Sequence, residues 1–284
     1  MNRHLTTQEE IDKEYNPRLS VPDVDRIVAD WAERSAATRS RVGNRVRRSY
    51  GATLAEYLDI FPADAPDAPV HVFIHGGYWR AFSADDFSFI ADSGLASGAT
   101  TVVVNYELCP KVRIAEIVRQ VRAAMAWVWH NAPDFGADRG RIALSGHSAG
   151  GHLVGRLIAT PWERDYGLPS DFIKGACAIS GLFDLEPLRW SWLQPSVQFS
   201  GDDILNESPI RHLPQAAIPV LAAVGALEST EFLRQTRDYA EALRGSGVPA
   251  QALQVPGRNH FTVLDDLADA QGPLWRAIDD MMNG

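Results

Sequence analysis

The sequence predicts an α/β fold with a mostly parallel central sheet and helices on both faces. Short apolar runs rich in β-branched residues alternate with longer amphipathic stretches, a pattern typical of βαβ units. A glycine-rich turn, GHSAGG, stands directly between one such run and a predicted helix. The chain of 284 residues is also within the size range of one large domain. We therefore expect a single domain over residues 1–284.

The N-terminal residues 1–44 are predicted to form a helical segment. Thr7 and Glu10 have the spacing of a capping box, which marks the start of a helix. A second helix is predicted after Pro22, and its apolar residues recur with helical periodicity. The pattern then changes to two extended runs, RVRRSYG and TLAEYLDIF, followed by the turn-rich PADAPDAP. These runs predict a hairpin-like pair of strands.

The central and C-terminal parts supply the alternating elements of the sheet. The predicted strands are VHVFI, TTVVV, RIALS, GACAIS, PVLAAV and AQALQVP. Helices are predicted from Ser83, over Ile114 to Trp129, from Ala149, over Thr230 to about Arg244, and after His260. Residues 181–216 interrupt the alternation. Long excursions of this kind are often lids or binding loops, so we expect this one to cover the active site, with a packed surface loop as the alternative.

Composition and charge indicate which kind of molecule this protein binds. The chain has 27 Lys+Arg against 36 Asp+Glu, a net charge of −9, and no basic block longer than residues 45–48. Nucleic acid and anionic membranes both require a concentrated cationic face, so a small-molecule substrate is expected, with a homodimer left open. The N-terminus lacks an apolar signal region, which favours a cytoplasmic location. Cys109 and Cys177 lie beside apolar runs and are predicted to be free.

The GHSAGG turn predicts a nucleophilic serine. In a G-x-S-x-G elbow, a sharp strand-to-helix turn lifts the serine hydroxyl out of the sheet, and the flanking glycines avoid clashes. Ser148 occupies that position here, after RIALS and before a helix. A simple tight turn between strand and helix is the alternative interpretation.

The motif His75-Gly76-Gly77-Tyr78-Trp79 follows the strand VHVFI and predicts an oxyanion hole. The oxyanion formed during acyl transfer needs preorganised donors, and glycine N–H groups are easily approached. Gly76 and Gly77 are the candidate donors on one side, and the N–H of Ala149 is the candidate on the other. His75 is predicted to brace this loop through hydrogen bonds.

The base and the acid should follow the serine along the chain. Glu228 comes just after the strand PVLAAVG, and His260 lies in a loop before the last helix. We expect His260 to accept the proton of Ser148 and Glu228 to orient the imidazole. Glu231 and Asp184 are the competing acids.

No metal or cofactor is expected. His71 and His75 lie four residues apart on a predicted strand, and His147 and His152 flank the elbow. The chain nevertheless contains neither H-E-x-x-H nor C-x-x-C. These histidines are therefore predicted not to bind a metal ion.

Several motifs together resemble the kynurenine formamidase (arylformamidase) branch of the α/β-hydrolase fold. They are, in order, HGGYW, GHSAGG, GLFDLEPL, NESPIRHLP, GALESTEFLRQT and VPGRNHF. The resemblance extends from about Pro69 to the C-terminus. It implies Ser148 as nucleophile, Glu228 as acid, His260 as base, and Gly77 with Ala149 as oxyanion donors. This chain has a glutamate where many members of the branch have an aspartate.

The resemblance implies hydrolysis of N-formyl aromatic amines such as N-formyl-L-kynurenine. A general carboxylesterase or amidase would use the same machinery, and a non-catalytic interaction protein on this scaffold is a third hypothesis. Aromatic residues near the catalytic motifs are candidates for the substrate pocket: Tyr78, Trp79, Phe183, Trp190, Trp192 and Phe261. Arg80, Arg189 and Arg258 are the candidates to bind a substrate carboxylate.

Overall fold

One eight-stranded sheet forms the centre of the molecule in the computed structural model, which describes residues 5–284. The strands are β1 (Val46–Ser49), β2 (Tyr57–Phe61), β3 (Ala68–Ile74), β4 (Thr100–Val104), β5 (Ala137–His147), β6 (Ile173–Ile179), β7 (Val220–Gly225) and β8 (Ala250–Val255). Their spatial order is β1-β2-β4-β3-β5-β6-β7-β8. β2 is antiparallel to both β1 and β4, and the other pairs are parallel. The predicted mostly parallel sheet is confirmed.

Helices pack on both faces of this sheet. They are α1 (Gln8–Tyr15), α2 (Val24–Arg41), α3 (Ala91–Ala96), α4 (Ile114–Asn131), α5 (Ala149–Ile158), α6 (Trp162–Tyr166), α7 (Gln194–Val197), α8 (Gly201–Glu207), α9 (Thr230–Gly245), α10 (Asp265–Ala268) and α11 (Pro273–Asn283). Short 3₁₀ helices span Pro17–Leu19, Ala84–Ile90, Ala132–Phe135, Pro187–Trp190, Pro209–Arg211 and Thr262–Leu264. None of the helices within residues 5–284 combines the length and apolar character needed to cross a bilayer.

The sheet separates two hydrophobic cores. Val72 of β3 belongs to the core under α4, α5 and α9, whereas the adjacent Phe73 belongs to the core under α2, α3 and α11. Successive side chains of a strand point to opposite faces, so a strand covered on both sides is apolar at most of its positions. Both cysteines are buried and free.

Three predicted elements differ from the structure. The helix expected from Ser83 is a 3₁₀ segment followed by the short α3, because Phe87 leaves the helical conformation (φ −123°, ψ 16°) and packs between Trp31 and Phe73. The helix expected after His260 is divided into a 3₁₀ turn, α10 and α11. Residues 181–216 are not an irregular loop, since they contain α7, α8 and two 3₁₀ helices.

Candidate active site

Ser148 occupies a strained turn between β5 and α5. Its backbone has φ 57° and ψ −117°, an unfavourable conformation for a residue with a side chain. The turn is anchored because the Ser148 N–H donates to the carbonyl oxygen of Ile179 at 2.8 Å and its carbonyl accepts from the N–H of His152 at 3.1 Å. A Cβ at Gly150 would lie 2.0 Å from the carbonyl oxygen of Ile74. Gly150, two residues after the serine, must therefore lack a side chain so that α5 can approach β3.

His260 connects Ser148 to Glu228. Its Nε2 lies 3.2 Å from the Oγ of Ser148, and its Nδ1 lies 2.6 Å from an Oε of Glu228. A carboxylate accepts hydrogen bonds, so Nδ1 carries the proton and the Nε2 lone pair faces the serine hydroxyl. The imidazole is 4% exposed. This arrangement can remove the serine proton during a nucleophilic attack.

The second oxygen of Glu228 also has partners. It accepts from the hydroxyl of Ser180 at 2.6 Å and from the backbone N–H of Gly225 at 2.7 Å. Ser180 was not singled out from the sequence, although it is the last residue of the predicted strand GACAIS. The two competing acids have other partners: Glu231 accepts from the Tyr15 hydroxyl at 2.6 Å, and Asp184 accepts from a backbone N–H in its own loop.

His147 supports the base from within the elbow. Its Nε2 donates to the backbone carbonyl of His260 at 2.8 Å. Burial lowers the pKa of His147 well below its usual value, and the neighbouring His260 adds to this effect. His147 is thus neutral and fixes the backbone of the loop that presents His260.

The glycine motif after β3 lies against the nucleophile. Gly77 has φ +108°, and a Cβ there would lie 2.2 Å from the carbonyl oxygen of Ala81. A Cβ at Gly76 would lie 3.1 Å from the Cβ of Ser148. Within residues 5–284, the N–H groups of Gly77 and Ala149 donate no hydrogen bond. Both donors are therefore available to an oxygen at the reacting carbon.

His75 braces the same motif. Its Nδ1 donates to the carbonyl oxygen of Gly76 at 2.8 Å, and its ring stacks on Tyr106 with centroids 4.2 Å apart. The hydroxyl of Tyr106 in turn donates to the carbonyl oxygen of His75 at 2.8 Å. Burial lowers the pKa of His75 to about 4, so its imidazole is neutral near pH 7.

A cavity of about 140 Å³ opens above Ser148 and His260. Six of its fifteen lining residues are Phe, Tyr or Trp, and these six come from four separate parts of the chain. The lining residues are Asn16, Pro17, Arg18, Trp31, Gly77, Tyr78, Arg80, Ala81, Phe82, Phe87, His147, Ser148, Trp192, His260 and Phe261. A cavity of this size suits a small acyl group and one aromatic ring.

Three of the six predicted pocket aromatics, Tyr78, Trp192 and Phe261, line this cavity. The other three do not, and their prediction is corrected. Trp79 is fully buried and donates to Nδ1 of His152 at 3.2 Å, and Phe183 stacks on Tyr239 in the core. Trp190 is 58% exposed. Sequence proximity to a catalytic motif was not sufficient to identify a lining residue.

The remaining aromatic walls were missed in the sequence. Trp31 comes from the buried face of α2, and Phe82 with Phe87 follows the HGGYW motif. The helical periodicity of the apolar residues in α2 predicted that Trp31 is buried. It did not predict that Trp31 lines the cavity. No signal in the sequence distinguishes these two phenylalanines from Trp79, which lies within the motif and does not line the cavity.

One side of the cavity is closed by a segment that comprises the C-terminal end of α1 and the three residues after it, Asn16 to Arg18. It is tied to the loop of the candidate acid, because Ser229 Oγ donates to the carbonyl oxygen of Glu14 at 2.6 Å. It is also tied to the oxyanion motif through a hydrogen bond from the Tyr78 hydroxyl to the carbonyl oxygen of Tyr15. Residues far apart in sequence thus form one wall.

No group of three or more His, Cys, Asp or Glu side chains within residues 5–284 could hold a metal ion. His71 contacts Ser145 Oγ at 2.6 Å, and His152 donates to the carbonyl oxygen of Glu207 at 2.7 Å. These two histidines thus form hydrogen bonds inside the fold.

Comparison with known proteins places this site in a family. Residues 71–264 match the family described as having the alpha/beta hydrolase fold. A kynurenine formamidase from Danio rerio is 30% identical over 263 residues, covering 90% of this chain and 88% of that protein. Esterase LipC from Mycobacterium tuberculosis is 28% identical over 293 residues, covering 91% of this chain and 71% of that protein.

The solved structure of a proposed thioesterase from Silicibacter sp. TM1040 is 30% identical, with a TM-score of 0.86. The match covers 95% of this chain and 99% of the other. Fold, motifs and relatives agree, and the chain belongs to the α/β-hydrolase family, in its kynurenine formamidase-like branch.

Proposed function

We propose that this protein hydrolyses N-formyl aromatic amines such as N-formyl-L-kynurenine, using Ser148, His260 and Glu228. The observation that carries the proposal is the alignment of these three side chains, at 3.2 Å and 2.6 Å, below an aromatic cavity of about 140 Å³. The kynurenine formamidase of Danio rerio, 30% identical, supports the choice of substrate.

The proposed reaction proceeds through an acyl-enzyme. Ser148 Oγ attacks the formyl carbon while His260 Nε2 takes its proton. The N–H groups of Gly77 and Ala149, with Gly76 beside them, stabilise the resulting oxyanion. The imidazolium then protonates the amine nitrogen, the C–N bond breaks, and formyl-Ser148 remains. Water, activated by His260, attacks this ester and releases formate and the free serine.

The cavity supports a small acyl group combined with a flat leaving group. Gly76 lies so close to the elbow that a Cβ on it would be 3.1 Å from the Cβ of Ser148, so this position of the oxyanion motif must lack a side chain. The aromatic rings of Trp31, Phe82 and Phe261 can pack against an aryl amine. Burial of an aromatic ring in such a site contributes roughly 1.5–3 kcal/mol.

A carboxylesterase or amidase of broader specificity is the second candidate. The observation in its favour is the similarity to esterase LipC, which extends over 91% of this chain. The same three side chains would cleave aryl or short-chain acyl esters and amides, because the oxyanion and the acyl-enzyme are common to both reactions.

A kcat/KM comparison of N-formyl-L-kynurenine, an aryl formate, an aryl acetate and an acetanilide tests the proposal. We expect formyl-kynurenine to be preferred over the acetanilide by at least about 100-fold, because an acetyl group is larger than a formyl group by one methyl group and the acetanilide lacks the rest of the kynurenine side chain. A preference for aryl acetate over both formyl compounds would instead favour the esterase.

We further propose that residues 1–284 act as one domain, in which the described part of the N-terminal segment, residues 5–44, and residues 181–216 both cover the active site. Trp192 and the segment from Asn16 to Arg18 support this, since all of them line the cavity. The backbone N–H of Trp192 also donates to Asp12 at 2.6 Å, which joins the two covering segments.

A further inference from the structure

One positively charged side chain that lines the cavity has no counter-ion in the described part of the chain. Arg18 and Arg80 both line the cavity, and Arg18 pairs with Asp25. Arg80 is exposed and forms no ion pair with any residue in the range 5–284. Acidic residues outnumber basic ones in this chain, which has a net charge of −9. An unpaired arginine beside an apolar cavity is therefore a candidate for ligand binding.

Trp192 lies next to Arg80 and restricts its position. The guanidinium carbon of Arg80 is 5.4 Å from the centroid of the Trp192 ring, within the range of a cation–π contact. The indole packs edge-on against Tyr78, with centroids 5.7 Å apart. Its backbone is held by Asp12 through the hydrogen bond described above. The pair is thus fixed by contacts from two other segments.

The indole of Trp192 also carries an unused donor. Its Nε1 is buried and has no hydrogen-bond acceptor within residues 5–284. A buried donor without a partner costs about 1–3 kcal/mol, and an acceptor supplied by a ligand would recover this cost. Two neighbouring residues of the cavity wall, Arg80 and Trp192, thus have side-chain N–H groups for which residues 5–284 supply no acceptor.

The other arginines considered from the sequence are less suited to this role. Arg258 forms ion pairs with Asp265 at 3.3 Å and with Asp266. Arg189 lies 5.3 Å from the ring of Trp190, and neither of these residues lines the cavity.

We propose that Arg80 and the indole N–H of Trp192 form a carboxylate-binding subsite. The substrate is then an aryl acyl compound with a negatively charged tail, because a carboxylate has two oxygens to accept from the two donors. This inference rests on the proposed function only in placing the scissile bond at Ser148. The subsite would serve an anionic amide or an anionic ester equally.

Calorimetric titration with phenylbutyrate and phenylbutyramide tests the subsite. These ligands share an aryl ring and differ in whether the tail is charged. We expect the wild-type protein to bind the acid at least about tenfold more tightly than the amide. Arg80→Met should abolish this preference, and Trp192→Phe, which keeps the ring but removes the N–H, should reduce it.

Arg189→Met is the matched control, because it removes a guanidinium that lies over an indole outside the cavity. It should leave the preference unchanged. Equal binding of acid and amide by the wild type, or equal effects of the two arginine substitutions, would overturn the proposal. Neither ligand contains a scissile bond. Failure to hydrolyse formyl-kynurenine, together with a retained carboxylate preference, would therefore count against the proposed function alone.

Discussion

Both carboxylate oxygens of Glu228 accept hydrogen bonds. The donors to one oxygen fix the carboxylate, and the other oxygen accepts from His260. Ser180 and Gly225 hold one oxygen, so the other points at the imidazole. The Glu228 side chain is fully buried. A glutamate has one more methylene group than an aspartate, and these two additional contacts fix that longer side chain.

Ser148→Ala should lower kcat by about 10⁴-fold or more while the protein remains folded, since the remaining groups cannot form an acyl-enzyme. Steady-state kinetics and the thermal unfolding midpoint check the two parts of this prediction. A sulfonyl fluoride should label Ser148 in the wild type, and a label on another serine in the peptide map would refute the assignment.

Glu228→Gln should lower kcat by about 10³–10⁴-fold with little change in KM. The amide cannot stabilise the imidazolium, and it can hold the wrong tautomer of His260. Asp184→Asn is the control, because Asp184 accepts from a backbone N–H in its own loop. If the Asp184 variant had the larger defect, the acid would be misassigned.

At the scale of elements, residues 181–216 contain one tryptophan that lines the cavity and one that does not. The 3₁₀ helix Pro187–Trp190 presents Trp190 to solvent, and the chain then turns Trp192 toward Tyr78. The two side chains are chemically identical and lie two positions apart. They therefore form an internal control for the role of this segment.

Trp192→Ala should raise KM for aryl substrates by about tenfold or more, because the loss of a packed aromatic wall costs roughly 1.5–3 kcal/mol of binding. Trp190→Ala should leave KM nearly unchanged. Short alkyl esters, which do not reach the aromatic wall, serve as the control substrate. Similar KM values for the two variants would show that this segment does not bind the aryl group.

At the scale of the whole molecule, four buried histidines make stability depend on pH. Burial lowers the pKa of His71 and of His152 to about 3 and that of His75 to about 4, and it also lowers the pKa of His147. The unfolded chain binds these protons near pH 6.5, whereas the folded chain does not. Their contribution to stability is therefore complete above about pH 6.5 and decreases as the pH falls toward 3–4.

The free energy of unfolding should accordingly decrease on acidification, with each of these histidines contributing about 1.4 kcal/mol per pH unit below about pH 6. His71→Phe should reduce the slope between about pH 6 and pH 4.5 by that amount. Urea unfolding across this range measures the slope. His130 is exposed, and His130→Gln should leave the slope unchanged. Parallel slopes for wild type and His71→Phe would contradict the prediction.

Much of the fold could be predicted because the signals are local. The buried strands β3 to β7 appear as continuous apolar runs, and α4 and α9 have helical periodicity over their whole length. The divided elements could not be predicted in this way. Phe87 leaves the helix to join a cluster with Trp31 and Phe73, which are distant in sequence.

The sequence by itself determined the α/β architecture, the elbow at Ser148, and the order in which an acid and a histidine follow it. These features depend on hydrophobic patterning and turn chemistry, which act over a few neighbouring residues. Only the tertiary structure decided that Trp31 lines the cavity while Phe183 does not, and that Arg258 forms ion pairs while Arg80 has none among residues 5–284. The physical reason is that a cavity wall and an ion pair both form between segments distant in sequence, so neither leaves a local pattern.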